Sequence, residues 1–276
     1  MQWNDGLREL FFRRALGSAG VQATTAAIQF CLAIALARAL GPTGYGIYAY
    51  AFAIMTVLMI VASAGVPTLL MREVSAAESR GTWGLMRGAI RRGIQLVALV
   101  SSVIAVLGLT ILVLNLQRIE QETLYTLGLM LLVLPLAAMT NTIGHALRGL
   151  NRVVLAQLIE LFARVAMTTS LVMILFAISP ALRTPHTAMA AQLCAALFAL
   201  LIAMFTLRRV RPAALKGATA VFRSADWLRS ALPFAMIGGA NVVSSQTDMI
   251  MLGWLTKSDE VGVFRVSVQG AMLVGF

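Results

Sequence analysis

Charge is what this chain has least of. Only 12% of its 276 residues are Asp, Glu, Lys or Arg, about half of the roughly 25% usual in a soluble globular domain. That polar surface could not cover a water-soluble body of this size. Cysteine is nearly absent as well: Cys31 and Cys194 are the only two. Both fall inside apolar runs, which excludes a disulfide framework and any CxxC metal or redox motif. The two histidines, His145 and His186, stand at the ends of apolar runs without ligand partners at metal spacing, and are expected at the membrane interface. No HExxH, GxSxG, Walker A or GxGxxG motif followed by an acidic residue occurs, so neither catalysis, nor a metal, nor a cofactor is expected.

Apolar length is what the chain has in abundance. Its hydrophobic content is 59%, and runs of about 20 residues recur between short polar breaks, the length needed to cross a hydrocarbon core of roughly 30 Å. The sequence therefore predicts an all-α, polytopic helical membrane protein. Spans are expected at 17–40, 47–71, 94–116, 124–144, 153–179, 186–207 and 231–255, with a last one beginning near 261. Residues 1–211 read as an N-terminal lobe of six spans, 212–230 as a cytoplasmic amphipathic linker, and 231–276 as the start of a second lobe cut off within its eighth helix. Residues 73–93 mix Trp83, Leu85, Met86 and Ile90 with Arg87, Arg91 and Arg92, which predicts an amphipathic helix at the inner surface leading into the third span.

The formal net charge is +11, and its distribution excludes nucleic acid as the reason. Sixteen of the 22 Lys and Arg residues fall in breaks on one side of the expected spans and four on the other. That asymmetry is the positive-inside pattern and puts the N-terminus in the cytoplasm. Tyr45, Tyr48, Tyr50, Tyr125 and Trp254 fall at the opposite, outer ends, where amphipathic rings favour the headgroup layer.

Four stretches, in order, carry a family resemblance. They are Ala37-Arg38-Ala39-Leu40-Gly41-Pro42-Thr43-Gly44-Tyr45-Gly46-Ile47-Tyr48, then Gly65-Val66-Pro67 through Arg72-Glu73, then Arg148-Gly149-Leu150-Asn151-Arg152, and last Asp248-Met249-Ile250-Met251-Leu252-Gly253-Trp254 with Glu260-Val261-Gly262-Val263-Phe264-Arg265. Together they resemble the polysaccharide transporter family, the Wzx-like O-antigen and exopolysaccharide flippases, whose superfamily includes the multidrug and toxin extrusion (MATE) transporters. The resemblance implies a MATE-like two-lobe fold, here with most of the C-terminal lobe missing. It implies export of a lipid-linked (undecaprenyl-diphosphate) oligosaccharide across the bacterial inner membrane by alternating access. A polysaccharide polymerase and a chain-length regulator are the expected protein partners, beside the lipid bilayer itself.

Ionisable residues inside spans are the sites from which chemistry is expected, because each costs about 2.5–3.5 kcal/mol at the bilayer centre unless paired or hydrated. Four qualify: Glu160, Arg164, Asp248 and Arg265. Glu160 and Arg164 stand at i and i+4, spaced for an intrahelical ion pair. Arg164 lies about 17 Å from the cytoplasmic end of its span, too deep to snorkel. It either lines an anion-attracting cavity or serves as a structural counter-ion to Glu160. Asp248 and Arg265 either pair across the hairpin that joins their spans or serve in gating or in binding a coupling ion. Arg38 snorkels or joins the cavity. Asn241 and Gln246, in an unusually polar span, either bond between helices or bind sugar. Pro135 is expected to kink its helix, and Gly238-Gly239 to permit close helix approach.

Two transport readings and one enzymatic reading compete. A cation-coupled drug exporter calls for aromatic residues and an acid in the first span. Aromatics make up 7% of the chain and the first span has no acid. A membrane-embedded glycosyltransferase or polymerase calls for acids in a sizeable outer loop, but Glu120, Glu122, Asp259 and Glu260 sit in short breaks. A non-transporting scaffold is the remaining alternative.

Overall fold

The computed structural model describes residues 5–222, 224–255, 260–265, 267 and 268, with side chains from residue 17 except at 18, 216, 224, 225, 228, 241–246, 249 and 250. Among the described residues every regular element is a helix. Helix α1 (Asp5–Ser63) contains one non-helical residue, Gly41, at φ 69 and ψ 177. Only glycine takes that conformation without a steric penalty, and Pro42 then starts the following arm with its φ already set. The two arms fold back on each other, because Gln29 and Phe52 line the same small cavity. A straight helix would hold them about 34 Å apart.

A second break follows at Ala64 (φ 45) and Gly65 (φ 72). Helix α2 (Val66–Arg80) starts there and ends on Gly81 in the left-handed conformation, whose N–H reaches back to Ala77 and Glu78 carbonyls, a common helix stop. The single amphipathic helix expected over 73–93 is thus two pieces. Its second half is the first turns of α3 (Trp83–Leu114), which runs on into the membrane. Helix α4 (Gln121–Gly149) passes through Pro135 as one element. Asn151, at φ 57, turns the chain into α5 (Val153–Gln157). A π-helical turn (Leu158–Ala163) and α6 (Arg164–Ile178) complete that span. The Thr184 hydroxyl accepts from the Thr187 N–H and Pro185 takes the first position of α7 (Pro185–Val210), a favourable N-terminus. A short α8 (Ala214–Gly217) and the long α9 (Ser224–Leu255) follow.

Helix α4 is central, packed by α1, α2, α3 and α7. The α4–α7 seam is made of small side chains: Ala188, Ala191, Ala195, Ala199 and Ala203 of α7 are at most 2% exposed. Their spacing of three or four puts them on one face. The large residues of the same helix, Leu197, Phe198, Leu201 and Phe205, point outward. Small-in, large-out packing suits helices whose surrounding solvent is hydrocarbon, where van der Waals fit rather than apolar burial drives association. Helix α3 is the most outward-facing, with Leu99, Val106, Leu107 and Ile111 exposed. Five helical stretches are long and apolar enough to cross a membrane, and the 45-residue one, Ala19–Ser63, holds the two arms of α1. The chain is a multi-pass α-helical membrane protein.

Helix α9 lies on α1 and α2. A side chain at Gly65 would collide with the Ala231 carbonyl and the Ala235 amide, and one at Gly253 with the Tyr50 ring. Close approach at these points, and of Gly262 to the Pro42 carbonyl, sets α9 and the segment 260–265 against α1 and α2.

Candidate functional site

Glu160 does not pair with Arg164. Its Oε2 accepts from Nη2 of Arg148, twelve residues earlier on α4. The other Arg148 nitrogen, Nη1, donates to Nε2 of His145 at 3.0 Å. An arginine can only donate, so the His145 ring proton sits on Nδ1. The cause of the changed partner is local: Glu160 lies within the π-helical turn, whose wider winding removes the α-helical register that aligns i with i+4. The carboxylate is then seated against Gly144, where any Cβ would overlap Oε1 of Glu160. His145, expected at the membrane interface, and Arg148, expected in a break between spans, stand a helical turn apart against Glu160. The i, i+3 spacing of a histidine and an arginine was the available signal.

With Glu160 neutralised from α4, Arg164 is left facing open space. One cavity, of about 640 Å³, lies between the arms of α1 and helices α6 and α7, and its polar lining comprises Gln29, Tyr45, Tyr48, Arg164, Thr168, Gln192 and Arg265. Arg265 reaches the Tyr45 hydroxyl and stands over the Phe52 ring at 5.9 Å, a cation–π distance. Thr168 donates to Oε1 of Gln192 at 2.9 Å, and both residues are buried. A second and larger cleft, of about 1220 Å³, opens between α1, α2, α4 and α9, where it meets Thr56, Thr68, Asn141, His145, Gly238 and Gly239. Arg164 and Phe52 line both spaces.

The remaining expected site residues lie elsewhere. Arg38 and Asp248 are exposed and line neither cavity. Asp248 makes no ion pair with Arg265, which turns instead to Tyr45 and Phe52. The side chains of Asn241 and Gln246 lie outside the described residues, as does the 256–259 hairpin. Among the described residues no three His, Cys, Asp or Glu side chains gather as metal ligands. Chemically, the smaller cavity offers two guanidinium groups with amide and hydroxyl groups and no described carboxylate. That set attracts an anion and hydrogen-bonds to hydroxyl-rich ligands.

A family model for polysaccharide biosynthesis proteins matches residues 13–274, nearly the whole chain. The chain belongs to the polysaccharide biosynthesis protein family. Members of this family are generally transporters rather than enzymes, so this member is a polysaccharide-related transporter of the membrane. No curated protein and no solved structure matches it.

Proposed function

We propose that this family member is a flippase that moves a lipid-linked oligosaccharide, carried on undecaprenyl diphosphate, across the bacterial inner membrane by alternating access. The carrying observation is the position of Arg164, half-buried in the bundle and lining both cavities. A diphosphate stripped of water needs charge and forked donors at once, and a guanidinium supplies both. Arg265 adds a second guanidinium to the lining of the smaller cavity, while Gln29, Tyr45, Tyr48 and Gln192 offer donors and acceptors to sugar hydroxyls. The excess of arginine in one set of breaks supports an N-terminus in the cytoplasm, so the larger cleft faces the side on which lipid-linked sugars are made. Residues 1–211 then form one lobe, joined by the cytoplasmic linker 212–230 to residues 231–276.

The test is export in cells that depend on this transporter. The Arg164→Gln, Arg265→Gln variant should reach normal membrane levels yet leave lipid-linked oligosaccharide accumulated on the cytoplasmic side. Normal surface glycan from a normally inserted double variant would remove both arginines from the substrate path.

A further inference from the structure

A second basic site lies away from these cavities. Between the first turns of α3 and the last turns of α7 is a pocket of about 990 Å³, closed by Leu215 of α8. Its rim holds Arg87, Arg91, Arg208 and Arg211, and among the described residues no carboxylate lines it. Its wall is apolar, with Ile94, Met139 and Met204 below the charged rim. The arrangement follows from helical spacing. Arg87, Arg91 and Ile94 share one face of α3, as Met204, Arg208 and Arg211 share one face of α7. Guanidinium groups are thereby stacked above apolar side chains on two facing helices.

Two further observations mark it as a site rather than a solvated surface. The Nε of Arg211 is buried without a hydrogen-bond partner among the described residues, and none of Arg91, Arg208 and Arg211 is within ion-pair distance of a described acid. The wall is also held in shape by backbone contact. Arg87 donates to the Ala218 carbonyl at 2.7 Å and the Val221 N–H to the Gly84 carbonyl at 3.0 Å. Side chains at Gly84 or Gly88 would overlap residues 219 and 221. The segment after α8 is thus laid flat on α3, and α8 stays over the pocket.

We propose that this pocket binds one anionic phospholipid of the cytoplasmic leaflet, its phosphodiester among the arginines and an acyl chain against the apolar wall. A phosphodiester is the anion that forked donors at the end of transmembrane helices recognise, and basic pockets between such helices on the cytoplasmic side take lipid headgroups. A free phosphate would satisfy the rim but leave the apolar wall unused. The leaflet assignment rests on the cytoplasmic orientation proposed above; the binding itself depends neither on that orientation nor on what is transported.

The purified full chain in detergent, titrated with phosphatidylglycerol or phosphatidylcholine and observed by native mass spectrometry, should retain phosphatidylglycerol selectively. The Arg91→Gln, Arg208→Gln variant should retain it about thirtyfold less, from the loss of two guanidinium contacts. The control variant Arg80→Gln, Arg229→Gln, at exposed positions outside the pocket, should behave as the parent. Equal retention of the two lipids, or equal loss in both variants, overturns the proposal. Inorganic phosphate that protects the parent against thermal unfolding as well as phosphatidylglycerol does would also overturn it, by assigning the rim to a free anion.

Discussion

Arg148 and Arg164 flank Glu160 in sequence, twelve residues before it and four after, and only Arg148 pairs with it. The two arginines resolve the same difficulty in different ways. Arg148 enters a closed knot with a 9% exposed carboxylate and with His145, fitted against Gly144. Arg164 has no described acidic partner and borders two cavities instead. A charge in the low-dielectric interior must be either paired or hydrated. Using α4 to neutralise Glu160 leaves the positive charge of Arg164 available to a passing anion. The contrast separates a residue that holds helices together from one that borders open cavities and, in the function proposed above, faces cargo.

The largest expected effect comes from breaking the knot. Glu160→Ala leaves the Arg148 charge unpaired, and loss of one partner of a buried ion pair costs about 3–5 kcal/mol, to be read as a lower thermal unfolding midpoint in detergent. Gly144→Val should follow, at about 1–3 kcal/mol, because the new side chain displaces the carboxylate from its seat. If Gly144→Val unfolds at the parent midpoint, the knot is not packed as described. Thr168→Val removes the buried hydroxyl that donates to Gln192 and should cost about 0.6 to 1 kcal/mol. Arg164→Gln should lie within about 0.5 kcal/mol of the parent, while glycan export falls sharply. On the outward face of α3, Leu107→Ala should be close to neutral, since that side chain lies against lipid in both states.

The membrane architecture was legible because apolar length is a property of the linear sequence. The reversal at Gly41-Pro42 was legible for the same reason: a glycine followed by proline between two apolar runs has few structural uses. The stop at Gly81 could also have been read, since glycine is the usual helix terminator, but the amphipathic pattern running through it concealed it. The partner of Glu160 could not have been found by spacing. It depends on a π-helical turn, which no periodicity in Leu158–Ala163 announces, and on α4 crossing that turn at a glycine. The division of α7 into an alanine face and a Leu/Phe face is visible in its sequence, but which face points inward depends on the solvent being hydrocarbon.

The proposed role of Arg164 requires that Arg148, not Arg164, is the partner of Glu160. Double-mutant cycles of thermal unfolding test this directly, with Glu160→Gln combined in turn with Arg148→Gln and with Arg164→Gln. The first cycle should show a coupling of about 1–3 kcal/mol and the second less than about 0.5 kcal/mol. A coupling to Arg164 as large as that to Arg148 would make Arg164 a structural counter-ion and contradict its place in the transport cavity.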